Sequence, residues 1–236
     1  MDITRTFDGP ELNTEYLFGL FAQIALNPNA TTLLGVPLNY TIVHFAANQN
    51  IASASTIITF DFASLGITLP VEIDTWNVFN AQGQVLEYDA TFRWFEFLLD
   101  TLVVTVMQAG NFGSPTQVIK HFTGALSQSI CQVHQSYCNG TNQQYANYSA
   151  CYDFLTTKIR FGNAYQLGMN TLVCRMIHEN MVPFRPSVHC PHIGPTGGGY
   201  CTDDLTYEGV VTQPYFTIEP MIPYGFQNCN ATIAAM

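Results

Sequence analysis

Cysteine is absent from the first 130 residues of this 236-residue chain and then occurs seven times, at Cys131, Cys138, Cys151, Cys174, Cys190, Cys201 and Cys229. A segment so loaded folds around disulfides in an oxidising compartment, or around metal and redox ligands in a reducing one. The segment before it has to hold together by burial alone. Two modules follow, residues 1–110 and 111–236, divided at the break Gly110-Asn111-Phe112-Gly113-Ser114. Seven is odd, so six cysteines pair and one is left over, free or available to bridge a second copy into a homodimer.

The compartment has to be argued from elsewhere. N-x-Ser/Thr sequons stand at Asn29, Asn39, Asn139, Asn147 and Asn230, lysine is reduced to Lys120 and Lys158, and the cysteines agree with both; together they point to a secreted, glycosylated chain. The start, Met1-Asp2-Ile3-Thr4, has no basic or apolar leader, so the expectation is a chain whose leader has been removed or one that never carried one. Seven Lys and Arg against 17 Asp and Glu give a net charge of −10, the wrong sign for nucleic acid. Eleven of the acids lie in residues 1–100. With 47% hydrophobic residues the chain is not disordered. Its longest apolar run, Phe95–Met107, is interrupted by Glu96 and Asp100, so no membrane association is expected.

Periodicity predicts the elements. Leu12, Tyr16, Leu17, Leu20, Phe21 and Ile24 define a helix over 11–26, ended by Asn27-Pro28-Asn29. The period then changes to two in Tyr40–Phe45, Ser55–Ala63, Val71–Asn80 and Val85–Trp94, which predicts four strands, the last two joined as a hairpin through Asn80-Ala81-Gln82-Gly83-Gln84. Residues from Phe95 on suit a helix. A further helix starts at Ser114-Pro115 with Val118, Phe122, Leu126 and Ile130 on one face, and helices are expected near 143–157 and 162–181. After Pro183 the chain reads as irregular.

Helix followed by antiparallel strands that close in Val71-Glu72-Ile73-Asp74-Thr75-Trp76-Asn77-Val78-Phe79, the Gly83 turn and Val85-Leu86-Glu87-Tyr88-Asp89-Ala90-Thr91-Phe92-Arg93 resembles the NTF2-like (SnoaL-like) superfamily over residues 10–95. The resemblance implies an α+β fold, a cone of curved antiparallel strands around an apolar pocket, here with a helical and irregular disulfide-rich extension behind it. The superfamily uses that pocket for cyclases, dehydratases, isomerases and hydrolases, and for binding alone, so fold does not select among them. The extension, through Cys174-Arg175-Met176-Ile177-His178 and the run Arg185–Cys201, resembles secreted fungal cysteine-rich proteins.

Candidate site residues follow from strand alternation. Phe60 and Phe62 share a face that Asp61 does not; Asp74 lies with Trp76; Tyr88, Phe92 and Trp94 lie together. Phe60, Phe62, Asp74, Trp76, Tyr88, Phe92 and Trp94 are thus the expected cavity lining. An Asp base with a Tyr or His donor in an apolar site is the pattern of an isomerase, and Asp74 with Tyr88 or His44 supplies those groups, with Asp89 as a second base. Cys174 and His178 are one helical turn apart and His189-x-x-His192 adds two nitrogens, a set able to hold a divalent metal. If the cysteines are bridged, His178, His189 and His192 remain. Gly197-Gly198-Gly199 lacks the Lys-Ser/Thr of a phosphate loop, and no Gly-x-Ser-x-Gly elbow exists.

With 17 Phe, 12 Tyr and two Trp, the expectation is a secreted acidic glycoprotein that binds a small aromatic or apolar ligand, a pigment or secondary metabolite, as a bound organic chromophore in the cone. The alternatives are a lyase, isomerase or hydrolase on a small hydrophobic substrate, and a storage or surface protein with no ligand.

Overall fold

The computed structural model describes residues 5–26 and 32–213. Pro10 opens α1 (Pro10–Thr14) at its first turn, where a missing N–H does no harm. The helix continues through a π-helical turn (Glu15–Gly19) into α2 (Leu20–Leu26).

Four strands follow: β1 (Val36–Asn48), β2 (Ile51–Phe62), β3 (Ile67–Phe79) and β4 (Val85–Phe92). They form one antiparallel meander in the order β1-β2-β3-β4, with bulges in β1. The predicted hairpin is present: Asn80 Oδ1 accepts from the backbone N–H groups of Gln82 and Gln84, and Gly83 takes the left-handed φ of 75° that the turn requires. Residues directly opposite one another share a face. The pairs Phe60↔Leu69, Ile58↔Val71 and Ile73↔Phe92 therefore put Phe60, Phe62, Val71, Ile73 and Phe92 on an inner face, which α3 (Phe95–Ala109) covers with Leu102. Trp94 does not extend the last strand. It adopts a left-handed backbone, caps α3 and is exposed.

In the second half, α4 (Pro115–Tyr137) is capped by Ser114, α5 (Tyr148–Thr157) by Asn147 and α6 (Leu172–Glu179) by Thr171, each through a side-chain oxygen that accepts a backbone N–H. Val118, Phe122, Leu126 and Ile130 are all buried. Three disulfides tie the region together: Cys131–Cys151 joins α4 to α5, Cys138–Cys190 joins the end of α4 to α7 (Pro186–Ile193), and Cys174–Cys201 fastens α6. Cys229 lies outside the described residues. The architecture is α+β, an antiparallel sheet with a disulfide-bonded helical region. Among the described residues no helix is long and apolar enough to cross a membrane.

Two expectations need correction. The helix over 162–181 exists only as α6. Before it, Asn163 and Gln166 close a capping box around a single 3-10 turn, and Arg160 bridges to Thr171, so the helical spacing of Tyr165 and Met169 is incidental. The chain beyond Pro183 is not wholly irregular, because Pro186 starts α7 and Thr206 caps α8 (Tyr207–Val211).

Candidate functional site

Between the inner face of the sheet, α3 and the N-terminal helix lies a cavity walled by phenylalanine and leucine. Phe60, Phe62 and Val71 come from the sheet with Phe92, Leu98, Leu99 and Leu102 come from α3, and Leu20 and Phe21 come from α2. Its volume is about 90 Å³, several waters' worth where one water needs about 10–15 Å³. The empty space including the mouth is about 870 Å³. Gly35 closes one wall: a Cβ there would sit 2.7 Å from Cβ of Phe60, so only glycine allows the approach.

One end of this apolar space is polar. Tyr16, His178, Tyr200 and Arg5 reach it, and Tyr16 is hydrogen-bonded through its hydroxyl to His178 Nδ1. Phe7 stacks on Tyr16 with ring centroids 3.6 Å apart and so holds its plane. Arg5 is fixed by the carbonyl oxygens of Gly168, Tyr200 and Thr202 at 2.9–3.0 Å and by an ion pair to Asp204.

Behind His178 the rings continue. His192 lies 4.8 Å from it and His189 5.3 Å from His192, centroid to centroid, both nearly perpendicular to the next ring. Nitrogens of His178, His189 and His192 come within 4.8 Å of one another, and all three side chains are buried. His189 Nε2 meets Glu15 Oε2 at 2.9 Å, and Arg185 donates to both oxygens of the same carboxylate at 2.5 and 2.6 Å.

Burial sets the protonation here. It pushes His178 well below the ordinary imidazole range, helped by the neighbouring His192 and His189, and pushes His192 down to about 3. Burial also lowers His189, against the opposing pull of Glu15. The phenol of Tyr16 is raised by burial and by the charges of Tyr200 and Glu15. Burial would raise Glu15 too, but hydrogen bonds from Arg185 and His189 outweigh it and hold the carboxylate below its usual range. The result is three neutral imidazoles and a neutral phenol beside one anchored anion.

The sequence-derived candidates divide sharply. Phe60, Phe62 and Phe92 line the cavity. Tyr88, opposite Asn77, is on the same inner face but further along it. The pairs His44↔Ser55, Ser55↔Asp74 and Asp74↔Thr91 form one row on the outer face, with Trp76 on that side as well. There Asp74 Oδ2 lies 3.7 Å from Arg93 Nε, and His44 is exposed. Asp74, His44 and Tyr88 are thus split between opposite faces and do not assemble, and Trp94 points to solvent. His178, His189 and His192, chosen from spacing, are brought together.

Sequence reasoning missed Glu15, Tyr16, Arg185, Arg5 and Tyr200. Tyr16 reads as one more apolar position of an amphipathic helix. The one local signal is structural: Glu15 and Tyr16 sit in the π-helical turn, a widening of the helix frequent at functional sites.

The fold and this site define a disulfide-bonded α+β protein with an apolar cavity ending in buried histidine and tyrosine. Comparison with known proteins gives it a family. Residues 1–90 match the BfoA N-terminal domain and residues 94–204 the BfoA family C-terminal domain. Over 217 residues the chain is 54% identical to bifonsecin B biosynthesis cluster protein A of Aspergillus brasiliensis, covering 92% of this chain and 71% of that protein. It is 53% identical to aurasperone B biosynthesis cluster protein A of Aspergillus niger, covering 92% and 70%. The chain belongs to the BfoA family. No solved structure matches it.

Proposed function

We propose that this protein binds a small, flat, aromatic metabolite in the cavity, with the ligand's rings among Phe60, Phe62, Phe92 and Leu102 and a phenol or carbonyl oxygen of the ligand at the Tyr16–His178 end. The observation that carries this reading is the cavity itself. A space lined by aromatics, with polar groups converging at one end only, suits a ligand of that polarity. A storage protein would fill the same interior. The relatives' names, which place them in the biosynthesis clusters of bifonsecin B and aurasperone B, support a fungal secondary metabolite, a pigment or pigment precursor, as the ligand class. The NTF2-like resemblance supports the same use of a cone.

Secretion and glycosylation belong to this reading. Three buried disulfides suit an oxidising compartment. Asn39, Asn139 and Asn147 are exposed; Asn147 uses its oxygen to cap α5, which leaves its nitrogen for a glycan. Asn29 and Asn230 lie outside the described residues.

Absorption spectra of protein purified from its own source, before and after unfolding, together with fluorescence titration of 2-naphthol, test the proposal. The expected result is saturable binding that Leu99→Trp, which fills the cavity, abolishes. Equal binding by wild type and Leu99→Trp would overturn it. A second reading, proton-transfer catalysis on the same ligand class, is favoured by one observation: a neutral imidazole hydrogen-bonded to a phenol at the end of an apolar space can shuttle a proton. His178→Gln would then remove turnover while leaving 2-naphthol binding in place.

A further inference from the structure

From the buried histidines we infer that His178, His189 and His192 form a binding site for one divalent transition-metal ion of the imidazole-preferring kind, zinc or copper, directly behind the cavity. Two of these rings carry a nitrogen for which the described residues supply no partner. Among the described residues, His189 Nδ1 and His192 Nδ1 are both buried without a hydrogen-bond partner. Leaving such an atom unsatisfied is costly, and buried imidazoles avoid it as a rule. His134 shows the ordinary solution in this same chain: also buried, its Nε2 accepts from the backbone N–H groups of Gln144 and Tyr145 at 3.0 and 3.3 Å.

The surroundings match what a metal-bound histidine needs. Glu15 accepts the Nε2–H of His189, which fixes the tautomer and leaves Nδ1 unprotonated, the carboxylate–histidine arrangement that orients a ligand and raises its basicity. Arg185 holds that carboxylate with two hydrogen bonds. The Tyr16 hydroxyl is hydrogen-bonded to His178 Nδ1 and so orients that ring, leaving Nε2 as its ligand nitrogen when Nδ1 carries the proton. The sulfurs of Cys174 and Cys201, which lie close to His178, are joined to each other, so the donor set is nitrogen only. Neutral nitrogen donors suit zinc and copper over calcium or magnesium. A tetrahedral ion with bonds of about 2.0–2.1 Å spaces its nitrogens by ~3.4 Å, so the present spacing of up to 4.8 Å closes by roughly an ångström of ring movement. Three protein ligands leave a coordination position open, and His178 is common to the cluster and the cavity wall. Metal binding by these three histidines does not depend on a metabolite in the cavity.

The test uses the full glycosylated chain, secreted by a fungal host. Metal content is measured after purification without chelator, and after chelation the protein is titrated with Zn²⁺ and with Cu²⁺ by calorimetry. The expected outcome is one ion per chain, a melting temperature raised by the ion, loss of binding in His189→Gln and His192→Gln, and binding weakened about 10- to 100-fold in Glu15→Gln. His44→Gln and His121→Gln leave it unchanged. Should the cluster variants not fold, the wild-type protein decides alone: no bound metal, no heat and no shift in melting overturns the site. Binding of the same stoichiometry and affinity in a folded His189→Gln, His192→Gln double variant overturns it equally, since the ion would then sit elsewhere.

Discussion

The helical region and the sheet solve the same packing problem in opposite ways. In the helical region α6 is buried all round, Arg175 included, whose guanidinium is satisfied by the carbonyl oxygens of Thr171, Gly194 and Pro195, and three disulfides close the loops around it. The sheet has a far smaller packed cluster, built on Phe60, Phe62, Val71, Ile73 and Leu102, and β1 is exposed along nearly its whole length. The cavity lies where these two halves meet, its apolar wall from the sparsely packed half and its histidine and tyrosine end positioned by the densely packed one. An interior left unfilled lowers stability. It persists here because the residues at its polar end are held from behind by covalent and buried polar contacts.

The largest effect that sharpens this contrast is loss of a bridge. Cys138–Cys190 closes 52 residues, and its removal by Cys138→Ala with Cys190→Ala is expected to cost about 4 kcal/mol on the chain-entropy scale. Denaturant melts followed by near-ultraviolet dichroism read it, and 2-naphthol binding should fall with it because His178 rests on this region. Retention of full binding in the unbridged protein would break the comparison.

Leucine-to-alanine changes measure the two halves on one scale. Leu126→Ala, in the fully buried face of α4, is expected to cost about 3 kcal/mol, whereas Leu98→Ala, half-buried on the cavity wall, costs about 1 kcal/mol, because the space beside it is already open. Urea midpoints at constant m-value decide it. Leu98→Ala should also admit larger ligands.

Acid acts through a few named carboxylates. Hydrogen bonds from Arg160 and the backbone of Asn170 hold Asp203 below its ordinary range, and Arg185 and His189 do so for Glu15. Groups lowered on folding contribute stability above their unfolded values, near 4, and lose it as pH falls through the folded ones. Glu179 has the opposite sign. Burial holds its carboxyl well above the usual range, against a hydrogen bond from Ser129, so its contribution is present below pH 4.5 and is lost as pH rises through the raised value. Unfolding free energy measured from pH 2 to 9 should therefore fall at the acid end, and Glu179→Gln should stabilise at pH 8 and not at pH 4.

Strand alternation carried the sheet legibly, down to the opposition of Phe60 and Phe62 to Asp61 and the turn at Gly83. It could place Asp74 with Trp76 but not say which face the helices would cover, and that choice, made by α3, put Asp74 outside. The histidines were legible from spacing because α6 and α7 each carry two chemistry-bearing residues one turn apart. Glu15, Tyr16 and Arg185 were not, because their meeting depends on a π-helical turn packing against α7 across 170 residues of chain, and no local pattern encodes that.

The smallest effect probes the exposed edge. Phe45, on β1, is 67% exposed and Tyr40 70%, so Phe45→Thr, which replaces one strand-favouring residue by another that is β-branched, is expected to change stability by less than about 0.5 kcal/mol. The same substitution should leave the sedimentation coefficient unchanged if the strand faces water. A loss well beyond that limit, with a melting temperature that rises with protein concentration, would mean that a second copy covers β1 in solution. The sheet would then owe its stability to an interface, and the division between a densely packed half and a sparsely packed one would hold only for the isolated chain.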